Sequence, residues 1–158
     1  MSGGGSGAAN ITSVNNIANI GNMTSGGGLA SSFDGTTTGK SCSSVGTASA
    51  RTIDTNGYAG RQYSGVGHSI DHVTVYSDSG GYGNSGGTAT LNIFAGASDL
   101  GPGGGTLLGT VSVSCASVTP QTITSSDNNT KYNFIWVQNT GCSGGGAVCF
   151  TQHQYFGQ

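Results

Sequence analysis

Ser69-Ile70-Asp71-His72-Val73-Thr74-Val75-Tyr76 alternates along its length and puts Val73 and Val75 on one face of an extended chain. The same two-residue period returns in Thr88-Ala89-Thr90-Leu91-Asn92-Ile93-Phe94, where Ala89, Leu91 and Ile93 share a face. Leu107 to Val113 is a third run with Val111 and Val113 in register, and Gln121-Thr122-Ile123-Thr124 is a short fourth. Tyr132-Asn133-Phe134-Ile135-Trp136-Val137 is almost continuously apolar, the pattern of a strand covered on both faces. Ala147-Val148-Cys149-Phe150, extending to Tyr155-Phe156, closes the chain. Glycine-rich stretches such as Gly80-Gly81-Tyr82-Gly83-Asn84-Ser85-Gly86-Gly87 and Gly101-Pro102-Gly103-Gly104-Gly105 lie between the runs as loops. Strands at short spacing with turn signals between them predict an all-β domain, a sandwich or jelly roll.

Composition agrees. Gly, Ser, Thr and Asn make up 84 of the 158 residues, the ten charged residues include no Glu, and good helix formers are scarce. Four basic residues against six Asp leave a net charge of −2, which argues against a nucleic-acid partner held through phosphates. Disorder is disfavoured, because net charge is small and twelve aromatic residues sit inside patterned runs. No apolar run approaches the roughly 20 residues of a membrane-spanning helix, so no membrane partner is expected. The start, Met1-Ser2-Gly3-Gly4-Gly5-Ser6-Gly7, shows no secretory signal.

The character of the chain changes near residue 28. Residues 1–27 hold no charge and no aromatic ring, and their apolar residues recur at every third position: Ile11, Val14, Ile17, Ile20 and Met23. A helix advances about 100° per residue, so a period of three drifts about 60° per step and wanders around the cylinder. The period suits an extended arm, or three chains packed about an axis, better than one long amphipathic helix; a helix of one or two turns is the plain alternative. The expected division is an attachment and assembly arm over 1–27 and a jelly-roll domain over 28–158.

Few groupings could carry catalysis. The six Asp are scattered, whereas glycoside hydrolysis needs a spaced carboxyl pair, and nothing singles out Asp71 or Asp78. His68, Asp71 and His72 are close in sequence, but on a strand Asp71 and His72 face opposite ways while His68 is displaced toward the loop. No Ser occupies a nucleophile elbow, and the glycine-rich stretches lack the Lys-Ser/Thr ending of a phosphate loop. The expectation is a protein that is not an enzyme. Cys42, Cys115, Cys142 and Cys149 lack the Cys-x-x-Cys spacing of a zinc site. The flexible Ser143-Gly144-Gly145-Gly146 could bring Cys142 and Cys149 together across a hairpin, leaving Cys42 and Cys115 to pair or to link subunits; four free thiols are the other outcome. Sequons at Asn10, Asn22 and Asn128 weigh little without a signal peptide.

Leu29-Ala30-Ser31-Ser32-Phe33-Asp34-Gly35-Thr36-Thr37 resembles the opening of discoidin-like, galactose-binding-like jelly rolls. Asn56-Gly57-Tyr58-Ala59-Gly60-Arg61-Gln62-Tyr63, His72-Val73-Thr74-Val75-Tyr76, Tyr132 to Val137 and Gln154-Tyr155-Phe156-Gly157 follow in that family's order, so the resemblance covers roughly residues 28–157. It implies glycan binding as an activity and, in some members, a structural calcium at the Asp-Gly turn, matched here by Asp34 and Thr37. The family's late Glu is replaced by Gln152, which removes a charged ligand, so the expectation is no cofactor, with calcium as the open alternative. Sugars pack a C–H face on an aromatic ring and engage planar polar groups with their hydroxyls. Tyr82, read as exposed between glycines, with Asn84 beside it, is one candidate site; Tyr58, Arg61 and Tyr63 form a second. An uncharged arm on a glycine-rich jelly roll also looks like a bacteriophage virion component. That reading makes the chain a capsid decoration or short head or tail fibre protein on the virion's outer surface. Its partners would be capsid or tail subunits docked through residues 1–27, with homo-oligomers, a trimer favoured, and host glycans. The alternative is an extracellular carbohydrate-binding module or adhesin domain.

Overall fold

The structure, a computed structural model, describes residues 7–37, 50–52, 56–83, 86–145 and 148–158. Twelve strands occur among them: β1 Ala9–Asn10, β2 Asn16–Gly21, β3 Ser25–Gly26, β4 Ala50–Thr52, β5 Gly57–Tyr63, β6 Ile70–Tyr76, β7 Thr88–Gly96, β8 Thr106–Ser114, β9 Gln121–Thr124, β10 Phe134–Asn139, β11 Val148–Phe150 and β12 Gln152–Gly157. A four-stranded sheet of order β1-β12-β6-β9 faces a five-stranded sheet of order β2-β5-β10-β7-β8, and β11-β4-β3 form a small third sheet. Every pairing between these strands is antiparallel. This is the β-sandwich that the alternating runs predict, and no described helix is long and apolar enough to cross a membrane.

Period-two patterning decides which side chains meet between the sheets. Val73, Val75 and Ile123 from one sheet pack against Leu91, Ile93, Ile135 and Val137 from the other, all buried. Each such side chain contributes about 1.5–3 kcal/mol relative to exposure. The central strand β10 is buried on both faces, because a second cluster lies on the outside of the five-stranded sheet. There Trp136 stacks on Phe94 with centroids 6.2 Å apart and meets Tyr58 edge-on at 6.5 Å. Gly60 is the cross-strand partner of Trp136, and a Cβ there would collide with the Trp136 Cβ and the Ile135 carbonyl.

The expected division at residue 27 does not hold. β1 pairs with β12, and β2 forms the edge of the five-stranded sheet against β5. Ile11 and Met23 belong to the core between the sheets, and Ile20 to the outer aromatic cluster, while Val14 and Ile17 are exposed. A spacing of three along an extended chain alternates faces, and a bulge between Asn16 and Ala18 shifts it again, so the five apolar residues share no stripe. The first strands thus pack within one copy of the chain, and the threefold cluster loses the pattern that suggested it.

The bridge observed is Cys115–Cys142, not Cys142–Cys149. Cys115 follows β8 and Cys142 follows β10, the two neighbours of β7, and both residues flank its first residues: Cys115 N–H donates to the Gly87 carbonyl and Ser143 N–H to the Thr88 carbonyl. Cys149 sits instead in β11, opposite Arg51, and is also disulfide-bonded; Cys42 lies outside the described residues. The closing run splits at Thr151, because β11 pairs with β4 and β12 with β6.

Candidate functional site

One end of the sandwich gathers the turn after β7 and the segment leading into β10. Between them is a cleft of about 430 Å³ lined by Ala95, Gly96, Ala97, Leu100, Gly105, Thr106, Lys131, Tyr132 and Asn133. The β7–β8 loop folds back over the outer face of the five-stranded sheet. The Tyr58 hydroxyl donates to the Asp99 carboxylate at 3.1 Å, and burial, reinforced by that carboxylate, pushes its pKa up to about 12. Asp99 also accepts the Gly101 N–H at 3.0 Å, which closes the turn. Gly105, at φ 77°, brings the returning backbone close over the Trp136 indole; a Cβ there would sit 2.9 Å from its ring edge.

The opposite wall is equally fixed. Tyr132 exchanges two backbone hydrogen bonds with His68, at 2.9 and 3.0 Å. The Asn133 side-chain Nδ2 donates to the carbonyls of Tyr63 and Gly65. These bonds hold Lys131, Tyr132 and Asn133 out of β10, although the sequence pattern starts that strand at Tyr132. The cleft is therefore lined by Lys131, by Asn133, by Tyr132, which also packs against the core between the sheets, and by an exposed Leu100. Its lining contains no carboxylate, imidazole or thiol.

The residues proposed from sequence are dispersed. Tyr82 is 0% exposed, and its hydroxyl lies 2.9 Å from both the Val75 and Thr119 carbonyls, so it is a core residue with no ring face open to a sugar. The flanking glycines bend the chain and turn the ring inward; Asn84 lies outside the described residues. Tyr58 and Arg61 are three apart on β5 and therefore face opposite sides: Tyr58 braces the cleft loop, whereas Arg61 and Tyr63 point between the sheets. Asp71 does not turn away from His72. A register shift beside it lets its carboxylate reach His72 Nδ1 at 2.7 Å, while His68 is elsewhere, with Nε2 2.9 Å from the Val14 carbonyl. Among the described residues, no three His, Cys, Asp or Glu side chains form a metal-binding group.

Asp34 caps its own turn, its Oδ1 accepting the Thr36 N–H at 2.9 Å, and Thr37 follows half-buried. Gln152 Oε1 accepts the Gly35 N–H at 3.0 Å. An amide oxygen thus ties down the turn that the resemblance associates with calcium, and among the described residues that turn offers one carboxylate and an engaged amide. The cleft residues that the sequence reading did not single out are Lys131, Tyr132 and Asn133; the available signal was one of only four basic residues beside an aromatic and an amide at a strand's start.

No protein-family model and no curated protein matches the chain. Solved structures do. The CBM32 domain of AlyQ in complex with 4,5-unsaturated mannuronic acid superposes with a TM-score of 0.63 at 15% identity, covering 89% of this chain and 95% of that one. A pectin-binding carbohydrate-binding module gives 0.60 at 10% identity, covering 89% of each. A Streptococcus pneumoniae fucose-binding module gives 0.57 at 11% identity, covering 95% and 98%. The chain spans 32% of a longer AlyQ chain that carries CBM32 and alginate lyase domains. The fold is thus the discoidin-like jelly-roll β-sandwich of these modules.

Proposed function

We propose that this domain is a non-catalytic carbohydrate-binding module working outside the cell, with the end cleft as its sugar site. The observation that carries this reading is the cleft itself. Its volume falls in the range of small-ligand pockets, and it sets an aromatic residue beside an amide and a cation. A pyranose ring can pack on Tyr132 while its hydroxyls engage Asn133 and Lys131. The lining offers no carboxyl pair, so it suits holding a sugar rather than cleaving it. Similar folds that bind a uronic acid, pectin and fucose support the ligand class. The Cys115–Cys142 bridge supports an oxidising, extracellular setting. The virion reading rested on a free docking arm, and the packing of β1 and β2 into the sandwich removes that support.

Isothermal titration with oligoalginate, oligogalacturonate and fucose tests the proposal. Binding of at least one, weakened about tenfold by Tyr132→Ala in a variant whose spectrum shows it still folded, is expected, since a lost aromatic contact costs about 1.5 kcal/mol. No binding to these or to a broad glycan array overturns it.

A further inference from the structure

Among the described residues, Arg61 is a buried cation without a counter-charge. It is 6% exposed, and among the described residues it forms no ion pair. Its Nη1 donates to Asn19 Oδ1 and, with the Asn16 amide turned to suit its surroundings, to Asn16 Oδ1 at 2.9 Å. The guanidinium carbon lies 4.0 Å from the centroid of the Phe33 ring. Two amides and a ring face hold one side of the group but do not neutralise it, and an uncompensated buried charge is costly. Burial accordingly lowers the pKa of Arg61.

The unmet bonds continue around it. Arg61 Nε, the Tyr63 hydroxyl, His153 Nε2 and Ser32 Oγ are all buried without a hydrogen-bond partner. Phe33 links them: it follows Ser32, its ring stacks near Tyr155 at 6.1 Å, and it meets His153 edge-on at 5.6 Å. Tyr63 is the next residue of β5 on the face that carries Arg61. His153 is kept neutral by burial and by Arg61, so Arg61 is the cation of the group. A packed interior rarely leaves several polar atoms unmatched in one place unless something else satisfies them.

We propose that Arg61 binds a carboxylate through its Nε–Nη2 edge. With Nη1 committed to the asparagines, that edge presents two parallel N–H groups, the fork that matches two carboxylate oxygens. One negative charge balances one guanidinium, whereas a dianion would leave a net charge buried. The route in lies at the edge strand β2, where Asn19 is exposed and Phe33 only half-buried. The carboxylate can come from a free small acid or from a uronic acid sugar. This site is separate from the end cleft and does not depend on the reading of that cleft.

Arg51 and Arg61 are the only arginines in the chain, so an arginine side-chain 1H–15N spectrum holds two Nε signals, one serving as internal control. R61K assigns them. Titration with sodium acetate, at ionic strength fixed with sodium fluoride, is expected to move the Arg61 signal to saturation. At about tenfold over the midpoint the melting temperature rises by about 3–6 °C, and R61K loses the gain. Saturation by galacturonate as well shows that a sugar-borne carboxylate reaches the site; saturation by acetate alone assigns it to free acids. An Arg61 signal that ignores both, or that follows fluoride equally, overturns the proposal and leaves the orphan atoms to water. Because R51K assigns the same two signals by removing the other arginine, the test stands even if R61K fails to fold.

Discussion

Replacing Cys115 and Cys142 by alanine removes a cross-link whose contribution can be worked out from the chain it closes. The two residues are 27 apart in sequence, with Cα atoms 6.0 Å apart. Cross-linking a loop of that size lowers the entropy of the unfolded chain by about 12 cal/mol/K, or about 3.6 kcal/mol at 25 °C. For a domain of this length each kcal/mol moves the melting temperature by about 2–4 °C, so the double variant should melt about 7–14 °C lower. The folded state should survive, because hydrogen bonds already join Cys115 to Gly87 and Ser143 to Thr88 on the two sides of β7. The assay is thermal and urea unfolding of wild type and variant without reductant. The variant should also show a steeper dependence on urea, since its unfolded chain is less compact. A loss below about 2 °C with unchanged urea dependence would show that the unfolded chain is constrained without the bridge, and would refute the reasoning.

Other consequences follow from the same packing. Burial, with Arg61 beside it, lowers the His153 pKa from 6.5 to about 3. The unfolded state therefore takes up a proton that the folded state refuses, so stability falls as pH drops from about 6.5 toward 3, by up to about 1.4 kcal/mol per unit, and His153→Gln flattens that slope in urea titrations. Deleting residues 1–23 removes β1, β2 and the buried Ile11, Ile20 and Met23, a loss of about 5–9 kcal/mol that rivals the whole stability of a domain. That truncation should give a collapsed 1H–15N spectrum; a dispersed, native-like one contradicts the assignment of these strands to the fold. Because Asp34 and Gln152 already close the Asp-Gly turn, EDTA and added calcium should leave the melting temperature unchanged, and a calcium-dependent rise would reverse that reading.

Strands with two covered faces, or with one clean alternating face, were legible from sequence: β6, β7, β9 and β10 lie where Val73, Leu91, Ile123 and Ile135 pointed. The first strands were not, because β1 is two residues long and β2 is a bulged edge strand that buries Ile20 but exposes Ile17. Tyr82 was misplaced for a different reason. Glycines on both sides are compatible with an exposed tip or an inward bend, and the Val75 and Thr119 carbonyls that receive its hydroxyl lie 7 and 37 residues away. The cleft was hidden for the same reason: Lys131, Tyr132 and Asn133 form one wall, and the other comes from a loop around Leu100 whose position depends on Tyr58 and Asp99.

Chemical-shift mapping of the full chain with a bound glycan tests the end cleft as the sugar site. Perturbed amides are expected to cluster at residues 95–106 and 131–133. Perturbation confined to the far end, around Asp34 and Gly141, would contradict that placement.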